Sequence, residues 1–214
     1  MKELTCCVSG HRSLPAEQID DVKRALEREI DRAVRDGFVC FISGFADGTD
    51  LLFAEIVMQK LRDKPSLKLV AALPYRKRLD TLRKSERTKE LIDCCTEIYV
   101  AAEEYHPSVY AKRNRCMVEQ SDRVIVVYDG REKGGTVGTI RLAHRMKKEL
   151  REIPVGELHI PEHMSTWRYL DVQEATNSHD FSRCTNKAEH WTKLTPPRDW
   201  TVYEVTSSAE SSEK

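Results

Sequence analysis

The sequence predicts an α/β fold with a doubly wound, mostly parallel sheet and an irregular C-terminal extension. Short apolar segments alternate with helical segments through roughly the first 150 of the 214 residues. This alternation is typical of parallel strands that are covered by helices on both faces. Glycine-bearing turns follow three of the predicted strands, which places them at one edge of the sheet.

The first half of the chain gives the clearest pattern. Residues 4–9 are the predicted first strand, and Pro15 fits the first turn of the helix that follows. The apolar face of that helix recurs at spacings of three and four residues: Ile19, Val22, Leu26, Ile30 and Ala33. Gly37 ends the helix. Residues 38–43 are aromatic and β-branched without a charge, which indicates a buried strand.

A tight turn with Gly44 and Gly48 follows this buried strand, and Thr49 or Asp50 is the predicted N-cap of an apolar helix. The other predicted elements are a strand at 67–73, one charge-dense helix at 76–90, a strand at 97–101, a helix at 109–120, a strand at 123–128, a glycine turn at 134–139 and a helix at 140–150. The loop at 103–108 is either a lid that stacks on a base or ordinary packing.

Composition excludes several function classes. The 35 Lys and Arg residues equal the 35 Asp and Glu residues, so net charge gives no argument for nucleic acid or a membrane surface. No apolar run approaches the roughly 20 residues that span a bilayer. The N-terminal residues lack a signal peptide's apolar stretch and cleavage site, so we expect a cytoplasmic protein.

Cysteine usage agrees with a reducing compartment. The seven cysteines are an odd number without ligand spacing, and we predict reduced thiols, no metal site and no cofactor. The adjacent pairs Cys6-Cys7 and Cys94-Cys95 are predicted to be small buried hydrophobes. The scattered histidines and cysteine of the last sixty residues are also predicted to be non-ligands: His159, His163, His179, Cys184 and His190.

The C-terminal part of the chain differs from the rest. We predict a first domain at 1–153, an extension of uncertain structure at 154–206 and a disordered tail at 207–214, which is rich in serine and glutamate. Residues 199–205 are a candidate added strand.

A strand, a glycine turn and a helix N-terminus in that order favour an anion, because backbone N–H groups and the helix dipole converge there. Arg12 suits a phosphate or carboxylate because its guanidinium forks onto two oxygens, and His11 is a further donor. The alternative is that these are ordinary turns with solvated side chains. Three such turns at one edge favour a single polyanion site.

Six segments in order resemble the SLOG superfamily of Rossmann-like domains, which groups the DprA-like and LOG-like proteins, and above all its YpsA-like branch. They are Ser9-Gly10-His11-Arg12, residues 43–50, Leu73-Pro74-Tyr75, residues 113–117, residues 121–125 and Gly134-Gly135-Thr136. The resemblance covers roughly residues 4–150 and implies a nucleotide-derived ligand at the glycine turns.

In LOG-like enzymes an arginine before the last core strand and a glutamate after a Gly-Gly-x-Gly-Thr turn serve N-glycosidic cleavage. Arg113 matches the arginine. The glutamate has no counterpart, because Thr139 is followed by Ile140 and Arg141. The resemblance therefore leaves catalysis open, with Arg113 and Asp50 as weak candidates and no assigned catalytic residue.

The sequence leaves three hypotheses for the function of this protein. The main hypothesis is a cytosolic module that binds or senses a nucleotide or an ADP-ribose-like ligand. The alternatives are a nucleoside-phosphate N-glycosidase and a protein–protein adaptor. A homodimer is expected by analogy alone. The predicted ligand-binding residues are Ser9, Gly10, Arg12, Gly44, Ala46, Gly48, Asp50, Pro74, Tyr75, Arg113, Asn114, Gly134, Gly135 and Thr136.

Overall fold

The structure is a computed structural model that describes residues 3–131 and 133–156, together with the backbone of residues 179–183 and 189–194. The chain divides into two units, Met1–His159 and Ile160–Lys214. The boundaries at residues 153 and 206 stay predictions. Several predictions lie outside the described residues: the candidate strand at 199–205, the tail at 207–214, and the side chains of the four scattered histidines and one cysteine.

The first unit contains a six-stranded parallel sheet, which confirms the predicted fold class. Its strands are β1 Leu4–Gly10, β2 Phe38–Ser43, β3 Lys68–Leu73, β4 Glu97–Val100, β5 Arg123–Tyr128 and β6 Glu149–Pro154. They lie in the order β4-β3-β2-β1-β5-β6. Strands β2 to β4 follow β1 on one side, whereas β5 and β6 lie on its other side. The strand order therefore reverses between β1 and β5, and a crevice opens at such a point.

Six α-helices connect these strands. They are α1 Ile19–Arg35, α2 Thr49–Asp63, α3 Arg76–Leu82, α4 Glu86–Asp93, α5 Val109–Gln120 and α6 Gly135–Arg145. A short 3₁₀ turn, Ala16–Gln18, leads into α1. The predicted apolar face of α1 is confirmed at Val22, Leu26, Ile30 and Ala33, which are all buried.

The sheet separates two apolar cores. On one face, side chains of α1, α2 and α4 pack with Phe41 and Leu69 of the strands. On the other face, Met117 and Val118 of α5 and Ile140 of α6 pack with Val124 and Val126 of β5. Helices thus cover both faces, which leaves the loops at the strand ends as the surface for a ligand.

Two predicted helices differ in the structure, and one strand forms where none is predicted. The predicted helix at 76–90 is two helices, because the chain turns after Leu82 to bury both Leu82 and Leu91. The helix predicted at 140–150 begins earlier, at Gly135, and ends at Arg145. Residues 149–154 form β6 instead, because they pair along their whole length with β5, a contact that local periodicity does not encode.

The second unit is described only through β7 His179–Arg183 and β8 Glu189–Leu194, which pair antiparallel. Among the described residues of the whole chain, none of the helices has the length and apolar character needed to cross a membrane.

The backbone at Gly48 yields a first prediction. Gly48 has φ +75°, and a Cβ there would lie 2.4 Å from the Arg12 carbonyl oxygen. Gly48→Ala is therefore expected to destabilise the protein by about 1–3 kcal/mol through backbone strain and the clash with the Arg12 carbonyl. Urea unfolding monitored by circular dichroism measures this change in the free energy of unfolding.

Gly138→Ala is the matched control. Gly138 lies inside α6, and a Cβ there meets nothing within 4 Å. Alanine should raise stability there by about 0.5–1 kcal/mol, because it is the better helix former. Equal effects of the two substitutions would contradict the role given to the Gly48 backbone.

Candidate functional site

A cavity of about 460 Å³ lies at the carboxyl ends of β1 and β5, at the point where the strand order reverses. Its volume falls in the range of small-molecule sites. The wall is built by the loop after β1, the inner face of α5 and the loop that runs from β5 into α6. These are the elements that the sheet topology brings together around the reversal point.

Ten of the predicted ligand-binding residues border this cavity: Ser9, Gly10, Arg12, Ala46, Asp50, Arg113, Asn114, Gly134, Gly135 and Thr136. The structure places Gly44, Gly48, Pro74 and Tyr75 outside the cavity wall. His11, predicted as a further donor, also borders the cavity, as do residues that were absent from the prediction: Tyr110, Tyr128, Arg131, Lys133 and Thr139.

The loop after β1 is fixed against the start of α2. The backbone N–H and the hydroxyl of Thr49 both donate to the carbonyl oxygen of His11, each at 3.1 Å. A Cβ at Gly10 would lie 2.4 Å from the Thr49 hydroxyl oxygen, so glycine is required for this contact. The contact orients the side chains of His11 and Arg12 at the cavity.

The second glycine turn is closed by the protein itself. A Cβ at Gly44 would lie 1.2 Å from Nη1 of Arg113, and the Gly48 backbone packs on that of Arg12. Gly44 is buried, and neither glycine borders the cavity. The predicted N-cap is also wrong: Gly48 precedes the helix, and Thr49 and Asp50 are its first two residues.

Asp50 and Arg113 form a buried ion pair at the cavity wall. Nη1 of Arg113 donates to Oδ2 of Asp50 at 3.3 Å, and both side chains are 7% exposed. The backbone N–H of Ala46 donates to the same carboxylate oxygen. Burial raises the pKa of Asp50, although Arg113 opposes that rise.

Arg113 is held on several sides. Its Nη1 also contacts the sulfur of Met117 at 3.6 Å, and its buried Nε has no hydrogen-bond partner among the described residues. Arg113, which the sequence predicts as a ligand-binding residue, is thus partly neutralised by Asp50. Its charge is fixed in position beside the cavity.

The third glycine turn provides the open helix N-terminus. Gly134 has φ +132° and precedes α6, whose first turn holds Gly135, Thr136 and Val137 at the cavity. The first N–H groups of an α-helix have no intrahelical acceptor, and they attract anions. A Cβ at Gly134 would meet nothing within 4 Å, so this backbone is open to a ligand.

Two consecutive hydrogen bonds from side chains stabilise the first turn of α6. Nδ2 of Asn114 donates to the hydroxyl oxygen of Thr139 at 3.2 Å, and that hydroxyl donates to the Gly135 carbonyl at 3.0 Å. Asn114 therefore ties α5 to the first turn of α6. The Asn114 side chain thus has a structural contact and also borders the cavity beside the predicted anion site.

Asp129 and His11 form a polar contact next to the cavity. Nε2 of His11 lies 3.1 Å from Oδ1 of Asp129, and the His11 ring stacks on Tyr128. The guanidinium of Arg131 also binds the Asp129 carboxylate. Burial opposes ionisation of Asp129, but Arg131 and His11 outweigh it, so the pKa of Asp129 is lowered.

The thiols near the cavity are inert. Cys6 and Cys7 are fully buried, as predicted, and burial raises the pKa of Cys7 to about 12. Cys94 is exposed, so the prediction of a second buried pair is wrong for this residue. Among the described residues, no group of three His, Cys, Asp or Glu side chains is placed to hold a metal ion.

Comparison with known proteins places this chain in a family. The sequence profile of the YspA SLOG family matches residues 6–158. A UPF0398 protein of Ligilactobacillus salivarius is 23% identical over 140 residues, which cover 60% of this chain and 76% of that protein. A UPF0398 protein of Bacillus thuringiensis is 26% identical over 140 residues, with coverages of 62% and 73%.

A solved structure shares the fold. DNA processing protein A from Helicobacter pylori, described for its single-stranded DNA binding mode, aligns with a TM-score of 0.54 and 21% identity. The alignment covers 80% of this chain and 73% of that one. At this identity the likeness concerns the fold alone.

The buried ion pair gives a second prediction. Arg113→Met should destabilise the protein by about 3–5 kcal/mol at neutral pH, because it leaves the Asp50 carboxylate buried without its partner. The double variant Asp50→Asn/Arg113→Met should regain most of that loss. Urea unfolding of both single variants and the double variant gives the coupling free energy. Strictly additive losses would show that the pair is not coupled.

The Asp129 carboxylate gives a third prediction. A lowered folded pKa means that the ionised form stabilises the folded state above the ordinary Asp pKa, and this stability is lost as pH falls through the folded value. Asp129→Asn should therefore lower Tm at neutral pH, and the difference from wild type should shrink below about pH 3. Asp47→Asn, at an exposed side chain, is the control. A pH-independent difference would refute the linkage.

Proposed function

Because the chain belongs to the YspA SLOG family, we propose that it binds a nucleotide or a nucleotide-derived ligand of the ADP-ribose-like or modified-nucleotide type. The observation that supports this most is the open N-terminus of α6 at the cavity wall. Phosphates bind at such helix starts through backbone N–H groups and the helix dipole.

The charges around the cavity support an anionic ligand. Among the described residues of the cavity wall, the cations are Arg12, Arg113, Arg131 and Lys133, and the single carboxylate is that of Asp50. Asp50 is already paired with Arg113. Arg12 and Lys133 are exposed, and they supply charge that a phosphate or diphosphate would neutralise.

Asp50 is the proposed ribose ligand. Its Oδ2 accepts from Ala46 and Arg113, whereas its Oδ1 accepts no hydrogen bond from the described residues. A carboxylate oxygen at the cavity wall suits the hydroxyls of a ribose. The phosphates would then lie toward Gly135, with the ribose toward α2.

An N-glycosidase is the second candidate function. The observation that favours it is the raised pKa of Asp50 beside Arg113 at the cavity wall, because cleavage of an N-glycosidic bond uses a carboxyl group as acid or base. Chromatographic detection of free base after incubation with purine nucleotides or NAD tests this function. Release that Asp50→Asn abolishes would establish it, and no release would exclude it for these substrates.

The cellular location also stays a proposal. The six described cysteines are free, which supports the reducing environment of a cytoplasm.

Gly135→Asp tests the proposed phosphate site. A Cβ at Gly135 meets only Nδ2 of Asn114 at 3.9 Å, and an acidic side chain favours a helix N-terminus, so this variant should fold. The new carboxylate would repel a diphosphate and should weaken binding of ADP-ribose by about tenfold or more. Isothermal titration calorimetry against AMP, ADP and ADP-ribose measures the effect.

Gly135→Asn is the matched control, because it has the same size without the charge. It should retain most of the affinity. If Gly135→Asp leaves the affinity of every bound nucleotide unchanged, the phosphate does not bind at α6. If the unmodified protein binds none of these nucleotides, the proposed function itself fails for this ligand class.

A further inference from the structure

A row of aromatic side chains leads from the cavity wall to the protein surface. Tyr110 borders the cavity, and the Arg12 guanidinium lies over its ring, with Cζ 5.1 Å from the centroid. Tyr75 lies close enough to Tyr110 to be influenced by it, because burial and then Tyr110 raise the pKa of Tyr75. Tyr105 then packs edge-on against Tyr75, with ring centroids 5.5 Å apart and planes at 79°.

The outermost ring of this row is exposed. Tyr105 is 61% exposed, far more than the exposed apolar residues Leu4 at 39% and Ile19 at 38%. Its edge contact with Tyr75 leaves most of the ring without a protein neighbour. An exposed aromatic ring next to a cavity with cationic walls has the properties of a stacking surface for a planar ring.

The loop that carries Tyr105 is held in place by other contacts. The backbone N–H of Arg76 donates to the carbonyls of Ala102 and Glu103, and the Arg76 guanidinium forms two hydrogen bonds with the Glu103 carboxylate, at 3.1 and 3.2 Å. These contacts fix the loop without the Tyr105 ring. The Tyr105 side chain takes no part in these contacts, and its exposed ring is available to a ligand.

We propose that Tyr105, with Tyr75 behind it, is a second base-binding subsite, so that the preferred ligands carry two aromatic rings joined through a diphosphate. This inference rests on the proposed function. One nucleoside would occupy the cavity, and the diphosphate would lie between the α6 N-terminus and Arg12. The second ring would then emerge along the row Tyr110, Tyr75 and Tyr105.

Two compounds of the same charge test this subsite. ADP-ribose and diadenosine diphosphate share one adenosine and the diphosphate, and they differ in whether the second ribose carries a base. Stacking on one aromatic side chain changes affinity by about tenfold or more per base. We expect calorimetry to show diadenosine diphosphate binding about tenfold tighter than ADP-ribose.

Variants of Tyr105 then test whether this residue causes the difference in affinity between the two compounds. Tyr105→Ala should remove the advantage of diadenosine diphosphate and leave ADP-ribose unchanged, whereas Tyr105→Phe keeps the ring and should keep the advantage. Ile19→Ala, at an exposed apolar residue of α1, is the surface control and should change neither affinity.

The outcomes separate the subsite from the proposed function. Equal affinities of the two compounds for the unmodified protein, or equal weakening of both by Tyr105→Ala, would overturn the subsite and leave nucleotide binding intact. Failure of both compounds to bind would overturn the proposed function, and the subsite with it.

Discussion

The arrangement of the site depends on one close contact between two backbones. The turn at Gly48 packs on the carbonyl groups of His11 and Arg12, and Thr49 donates twice to the His11 carbonyl. This contact holds the first two glycine turns against each other, and Gly44 and Gly48 lie outside the cavity wall. It therefore leaves the start of α6, across the cavity, as the helix N-terminus that is open to an anion.

A buried ion pair lies beside the second glycine turn. Asp50 and Arg113 face each other inside the cavity wall and form an ion pair. A buried ion pair contributes little net stability but fixes the position of both partners, since breaking it leaves an unpaired charge. The pair is thus a fixed part of the cavity wall, to which the exposed cations Arg12 and Lys133 also belong.

Much of the fold was accessible from local patterns. The bounds of β2, α5 and β5 agree with the prediction because each has a clear apolar pattern between turn residues. The weak points were β6, which becomes a strand only by pairing with β5, and the single helix predicted at 76–90. In the site, Lys133 and Arg131 were missed because isolated cations in a loop have no periodicity, although their place after a core strand could have indicated them.

The sequence by itself determined the α/β class, the family resemblance and the edge of the sheet at which the glycine turns lie, because alternation and turn residues are local properties. The tertiary structure alone decided which turn is open. Gly44 and Gly134 look alike in the sequence, yet Arg113 from α5 fills the space beside the first and nothing fills the space beside the second. Occupancy of that space depends on a side chain nearly seventy residues away, and no local pattern encodes such a contact.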